Sequence, residues 1–163
     1  MKIASISIGF VDVPGQISLN IYCQGCKKRC KGCHNPELQP FEGGEMVDLA
    51  LFKKILKKYE LPTWVTFLGG DAVYQPKELI KFSKFLKELE YNVCLYTGKT
   101  FEELMIEDNH VELIQYIDLV VDGEYNEELG TVDNSVTNQR CFLKREDVWH
   151  QLPFNELKKE LKK

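Results

Sequence analysis

The 163-residue sequence predicts an α/β protein, organised as a partial (β/α) barrel of about five or six mostly parallel strands in a single domain. Three observations carry this. Short β-favouring apolar runs alternate with amphipathic helical repeats, the order that parallel strands with right-handed crossovers require. Three of these runs stop at turns that read Gly-Gly-Asp, Thr-Gly and Asp-Gly. A closed (β/α)8 barrel needs roughly 200 residues or more, so a chain of this length closes only part of one.

In order along the chain, residues 17–22 form the first apolar run, which ends at Cys23. A cysteine-rich loop occupies 23–35, and 36–44 is a connection rich in Pro, Gly and polar residues. Asp48 can cap a helix on which Leu51, Phe52, Ile55, Leu56 and Tyr59 repeat at three and four, and Pro62 ends it. Trp64-Val65-Thr66-Phe67-Leu68 reads as a buried strand running into Gly69-Gly70-Asp71. Pro76 suits a first helical turn, and Leu79, Phe82, Phe85, Leu86 and Leu89 share one face of the helix it opens. The next strand covers 92–96 and is closed by Thr97-Gly98. Thr100-Phe101-Glu102-Glu103 is a capping box that starts a third helix, with a further short helical stretch over 111–116. Residues 117–121 form a strand that ends at Asp122-Gly123. Residues 125–138 are polar and turn-like, Cys141-Phe142-Leu143 is the last strand, and about 148–163 is a C-terminal tail with a terminal helix and a solvated lysine-rich end.

Composition excludes several classes. Apolar residues at 44% and charged residues at 28% are ordinary for a globular protein. A net charge of −4 gives no electrostatic footprint for nucleic acid. No apolar run approaches the ~18 residues of a membrane span, and the N-terminus lacks a signal-peptide core and cleavage site. The expected location is cytoplasmic, where thiols stay reduced and clustered cysteines mean metal or redox chemistry.

Four of the six cysteines lie in Cys23-Gln-Gly-Cys26-Lys-Lys-Arg-Cys30-Lys-Gly-Cys33. A structural zinc usually takes two cysteine pairs a dozen or more residues apart. Here three residues separate the pairs. Cysteines two and three residues apart on one loop suit separate corners of an iron–sulfur cube. If Cys26, Cys30 and Cys33 alone bind, one iron of a [4Fe–4S] cluster keeps an open position, the mark of a reactive site. Cys23 ends an apolar run and reads as packing.

Cys26-x3-Cys30-x2-Cys33 followed by His34-Asn35 resembles the cluster loop of the radical S-adenosylmethionine (SAM) enzymes. Val13-Pro14-Gly15 before the first apolar run, and Gly32, are similar to the branch that activates glycyl-radical proteins, above all to activases of the anaerobic ribonucleoside-triphosphate reductase. Gly69-Gly70-Asp71 resembles the Gly-Gly-acid element that holds the amino group of SAM, with Asp in place of the commoner Glu and Ala72 where Pro is frequent. Thr97-Gly98 resembles a segment that contacts SAM. Asp122-Gly123 and Asn138-Gln139-Arg140 resemble an Asp-Gly turn and a C-terminal segment of the same branch.

The resemblance implies a radical SAM type of partial barrel, with a [4Fe–4S] cluster on Cys26, Cys30 and Cys33. SAM would lie against Gly69, Gly70, Asp71, Thr97, Gly98, Asp122 and His34. It further implies that SAM chelates the open iron, and that an electron from the cluster breaks the S–C5′ bond to give methionine and a 5′-deoxyadenosyl radical. The implied substrate is a glycine Cα–H of the anaerobic ribonucleoside-triphosphate reductase. Lys27, Lys28, Arg29 and Lys31 make a basic collar that could dock an acidic, flavodoxin-type electron donor; a solvated face is the alternative. His34 is either cofactor-lining or an ordinary loop histidine. His110 and His150 carry no hypothesis, and Cys94, Cys141 and Trp64 read as core. Two rivals stay open: a small radical SAM enzyme acting on a metabolite such as a deazapurine precursor, and a non-catalytic protein whose four cysteines close a zinc or electron-transfer site.

Overall fold

The computed structural model describes residues 1–162. All strands belong to one mixed eight-stranded sheet, β1 (Lys2–Gly9), β2 (Ser18–Cys23), β3 (Glu45–Met46), β4 (Trp64–Gly69), β5 (Asn92–Tyr96), β6 (Leu119–Asp122), β7 (Arg140–Arg145) and β8 (Val148–Leu152), in the order β3-β1-β2-β4-β5-β6-β7-β8. The α-helices are α1 (Leu49–Leu56), α2 (Pro76–Glu88), α3 (Phe101–Ile106), α4 (Asp108–Ile114) and α5 (Leu157–Glu160).

The expected count of five or six mostly parallel strands needs correction. Only β2, β4, β5 and β6 pair in parallel; β1 and β3 on one side and β7 and β8 on the other are antiparallel. β1 escaped notice because Lys2-Ile-Ala-Ser-Ile-Ser-Ile alternates small polar with apolar residues, the pattern of a half-covered strand. The expected tail is also wrong in its first third. Residues 148–152 form β8, which pairs with β7 across the turn at Glu146 and Asp147, both at positive φ. Beyond it a 3-10 turn over Phe154–Glu156 leads into α5, with Leu157 fully buried; Lys163 lies outside the described residues.

Local signals set the helix starts. The Asp48 carboxylate accepts from the Leu51 N–H, Pro76 stands in the first turn of α2, and Thr100 with Glu103 forms the reciprocal capping box of α3. α1 is shorter than the apolar repeat implies: it stops at Leu56, and Tyr59 packs from beyond its end.

The helices α1 to α4 cover one face of the sheet. Phe52, Leu79, Phe82, Leu86, Leu104 and Leu113 pack there on Leu19, Ile21, Val65, Phe67, Val93, Leu95 and Val120. Alternate residues of the same strands, Trp64, Cys94, Leu119 and Val121, face a smaller cluster closed by Val13, Cys141 and Leu157. That second face also buries Ser18 and Thr66, whose hydroxyls meet at 2.5 Å. It has room to spare, and the candidate site opens at its edge.

Candidate functional site

Register brings the strand ends level. Cys23 pairs with Gly69, Phe67 with Leu95, and Tyr96 with Val121, so the carboxyl ends of β2, β4, β5 and β6 form one rim. The rim is stitched together residue by residue. Gly70 N–H donates to the Cys23 carbonyl (2.8 Å) and Asp71 N–H to the Gly25 carbonyl (2.9 Å). Gly25 and Cys26 in turn donate to the carbonyls of Leu38 (2.8 Å) and Gln39 (2.9 Å). The glycine pair is required by this crossing. Gly69 has φ +102°, and a Cβ on Gly70 would stand 2.6 Å from the Gly25 oxygen, 2.8 Å from that of Leu38 and 2.9 Å from that of Cys23.

The stitch continues through Asp71, which is 1% exposed. One carboxylate oxygen accepts from Val73 N–H (3.2 Å); the other accepts from the Thr97 hydroxyl (2.9 Å) and Gly98 N–H (3.0 Å). Burial pushes this carboxyl up to about 6, and the three donors oppose the shift. Gly123 N–H then donates to the Lys99 carbonyl (3.0 Å). Asp122, fully buried, accepts from the backbone N–H of Phe101 (2.6 Å) and from Arg140, which also grips Glu102.

Antiparallel pairing of β6 with β7 gives Asn138-Gln139-Arg140 a physical account. Arg140 holds Asp122, the Gln139 amide donates to the Gly123 carbonyl (3.2 Å), and the Asn138 amide donates to the Glu124 carbonyl (2.8 Å). The three residues splint the three residues of the turn, one to one.

Against this rim lies a cavity of about 500 Å³, a volume typical of small-molecule sites. Cys26, Cys30, Cys33 and His34 line one part of it, and Gly69, Gly70, Thr97, Gly98 and Gly123 line the rim. Asp71 and Asp122, expected as cofactor contacts, stand behind the wall with their oxygens engaged by protein donors. The sequence showed an acid after a strand, but not that its partner would be the next turn. Sequence reasoning also missed Val11, Asp12, Tyr96, Tyr125, Val132, Asp133 and Phe154 as lining residues. Apart from Tyr96 at the end of β5, they come from connections and short turns, where no periodicity marks an inward-facing side chain.

Cys23 does not line the cavity. Its thiol is sealed in the core against the Met1 sulfur (3.8 Å) and the Ile21 carbonyl (3.7 Å), and burial pushes it far above the ordinary thiol range. Cys26 is nearly buried, while Cys30 and Cys33 are half-buried. Burial pushes the Cys26 and Cys30 thiols up, opposed by backbone N–H groups of Lys28 and Tyr125 respectively; the Lys28 N–H lies 3.4 Å from the Cys26 sulfur. Such donors stabilise a ligating thiolate. Among the described residues, no three His, Cys, Asp or Glu side chains are gathered tightly enough to close on a single ion. Three thiols spread around one cavity, two with N–H donors, fit the corners of a cluster.

The basic collar is only partly available to an acidic donor. Lys28 pairs with Glu124 at 3.8 Å and Lys31 with Glu127, while Lys27 lies over the Tyr74 ring. The His34 ring packs on Tyr125 with centroids 4.5 Å apart.

Residues 11–141 match the family described as a 4Fe-4S single cluster domain. Among characterised proteins, the chain is 27% identical over 149 residues to the anaerobic ribonucleoside-triphosphate reductase-activating protein of Enterobacteria phage T4, spanning 86% of this chain and 92% of that protein. It is 36% identical over 121 residues to the pyruvate formate-lyase-activating enzyme of Clostridium pasteurianum, across 71% of this chain and 48% of that longer enzyme. It is 25% identical over 117 residues to the anaerobic ribonucleoside-triphosphate reductase-activating protein of Pasteurella multocida, across 66% and 73% of the two chains. The chain belongs to the 4Fe-4S single cluster domain family and, within it, to the radical SAM activating enzymes of glycyl-radical proteins. Among the described residues no helix is long and apolar enough to cross a membrane.

Proposed function

We propose that this enzyme activates an anaerobic ribonucleoside-triphosphate reductase. Cys26, Cys30 and Cys33 would hold the [4Fe–4S] cluster, and SAM would occupy the adjoining cavity against Gly69, Gly70, Thr97, Gly98 and His34. Asp71 and Asp122 would act from behind, fixing the turns that carry these contacts. When bound, the cluster and SAM supply one-electron reductive cleavage of the sulfonium, with release of methionine, and transfer of a substrate hydrogen atom to the deoxyadenosyl carbon.

The observation that carries the reading is the convergence of three thiols and the strand-end glycines on one cavity. The four helices α1 to α4 on one face of the parallel strands support the partial-barrel description, with the other face, closed at one side by Leu157 of α5, left for ligand. The target is supported by the phage T4 relative, which matches almost end to end. The chain's own residues bind and orient: the stitched rim fixes the cavity floor, and the apolar walls Leu68, Tyr96, Val132 and Phe154 exclude water. A partner's glycine loop would enter beside Val11 and Asp133. Among the described residues, Arg29, and Lys27 from over the Tyr74 ring, are the collar residues without an acidic partner that would face an acidic, flavodoxin-type donor in the cytoplasm.

The test is anaerobic reconstitution with iron and sulfide, reduction by dithionite in the presence of SAM, and quantitation of 5′-deoxyadenosine. Wild type should release it and Cys30→Ala should not. Adding the anaerobic reductase should then give a glycyl-radical doublet by electron paramagnetic resonance. Cleavage of SAM without that doublet would remove the reductase as the target.

A further inference from the structure

The loop that follows β6 touches the cysteine loop in three independent ways. Lys28 meets Glu124, Lys31 meets Glu127, and the His34 ring packs on Tyr125. A fourth observation is steric. Gly32 has φ +69°, and a Cβ there would stand 3.0 Å from the Cβ of Glu127 and run into its carboxylate. The Asn138 splint on the Glu124 carbonyl anchors the base of this loop to β7.

We propose that Glu124, Tyr125 and Glu127 are positioning residues, a clasp that holds the Cys30–Cys33 limb of the cysteine loop at the cavity wall. The proposal rests on the reading of that loop as the cluster site. Backbone bonds secure the Cys26 end of the loop to the rim, and among the described residues no backbone–backbone bond joins residues 27–34 to the sheet. The clasp does for Cys30 and Cys33 what the stitched rim does for Cys26, through charge and ring contact instead of backbone. The Lys31–Glu127 pair is exposed, Lys31 by 84% of its side chain, and the Lys28–Glu124 pair is long at 3.8 Å, so each is individually weak. Acting on a short loop, they set how often two thiols leave the wall.

The decisive experiment compares Lys31→Glu, Glu127→Lys and the double exchange carrying both. In the metal-free chain, site-resolved alkylation by iodoacetamide should be about fivefold faster at Cys30 and Cys33 in each single variant. The double exchange should return both sites to within about twofold of wild type, while the core thiols Cys94 and Cys141 stay at the wild-type rate in every variant. Tyr125→Ala should accelerate the same two sites without touching the charges. Reconstituted protein gives the second readout, because iron loss to a chelator should follow the same order. Unchanged alkylation in the single variants, or a double exchange as fast as either, would overturn the clasp. If wild type assembles no cluster, the cluster reading fails while the alkylation series still decides the clasp.

Discussion

Cys26 and the Cys30–Cys33 pair belong to one loop but live in two mechanical regimes. Around Cys26 the chain is held by backbone hydrogen bonds of 2.8–2.9 Å to the turn after β4 and to Leu38 and Gln39, and the thiol is nearly buried. Around Cys30 and Cys33 it is held by exposed ion pairs and one ring contact. Buried backbone bonds are costly to break because the freed groups lose water as well as their partner. Exposed ion pairs open readily. On the proposed reading, a loop that admits a cluster has one fixed thiol against which two more loosely held ones close.

The largest break in that comparison should come from Gly70→Ala. The new methyl would meet three carbonyls, of Cys23, Gly25 and Leu38, and each already accepts a bond in the stitch. Nothing there can swing aside, so relief requires moving the cysteine loop. We expect a loss of roughly 1–3 kcal/mol in the metal-free protein, a fall in melting temperature of about 5–10 °C, and iron content reduced about tenfold or more on reconstitution. Gly98→Ala is the matched control. The nearest atoms to its methyl would all belong to the Lys28 side chain, with Cγ at 2.9 Å, and that side chain can rotate. It should cost less than about 1 kcal/mol, and equal losses in the two variants would contradict the division between fixed and movable limbs.

Next in size is the pH dependence of Asp71. Its folded carboxyl titrates near 6, above the unfolded value of 3.8. Because the folded value is raised, the stabilisation is complete below pH ~3.8 and disappears as pH rises through about 6. Relative to Asp71→Asn, which does not titrate, wild-type stability should fall by about 2 kcal/mol between pH 4 and 7. Chemical denaturation of the metal-free proteins across that range measures it. A wild-type-to-variant difference that stays flat with pH would show that Asp71 is not desolvated as its position behind the cavity requires. Asp71→Asn should also loosen Thr97 and Gly98, seen as weaker SAM binding to reconstituted protein at constant cluster content.

The same division explains what the sequence disclosed. Helix starts were legible because capping is local, as at Asp48 and Thr100. The parallel strands were legible because their apolar runs end in recognisable turns. β1 and β8 were not, since alternation of Ser with Ile, or of exposed Val148 with Trp149, looks like ordinary surface until a neighbouring strand pairs with it. At the site, the cysteines and glycines announced themselves by spacing. The sequence could name Asp71, Asp122 and Asn138-Gln139-Arg140 but not their roles, because each acts on a turn 14 to 27 residues away. The clasp was invisible for the same reason: Lys31 and Glu127 are 96 residues apart, and neither stands out in its own neighbourhood.

The smallest expected effect separates the fourth nearby cysteine from the other three. Cys23 ends β2 level with Gly69, so its backbone belongs to the stitched rim while its side chain points into the core beside Met1. Cys23→Ala keeps every backbone bond and removes one buried sulfur, a loss of about 1 kcal/mol through the small cavity left behind. Cluster content, measured as iron and sulfide per chain, should equal wild type, whereas Cys30→Ala should lose it. If Cys23→Ala also failed to load, the loop would be working as a closed four-thiolate site, leaving no open iron for SAM and removing the chemical basis of the activase reading.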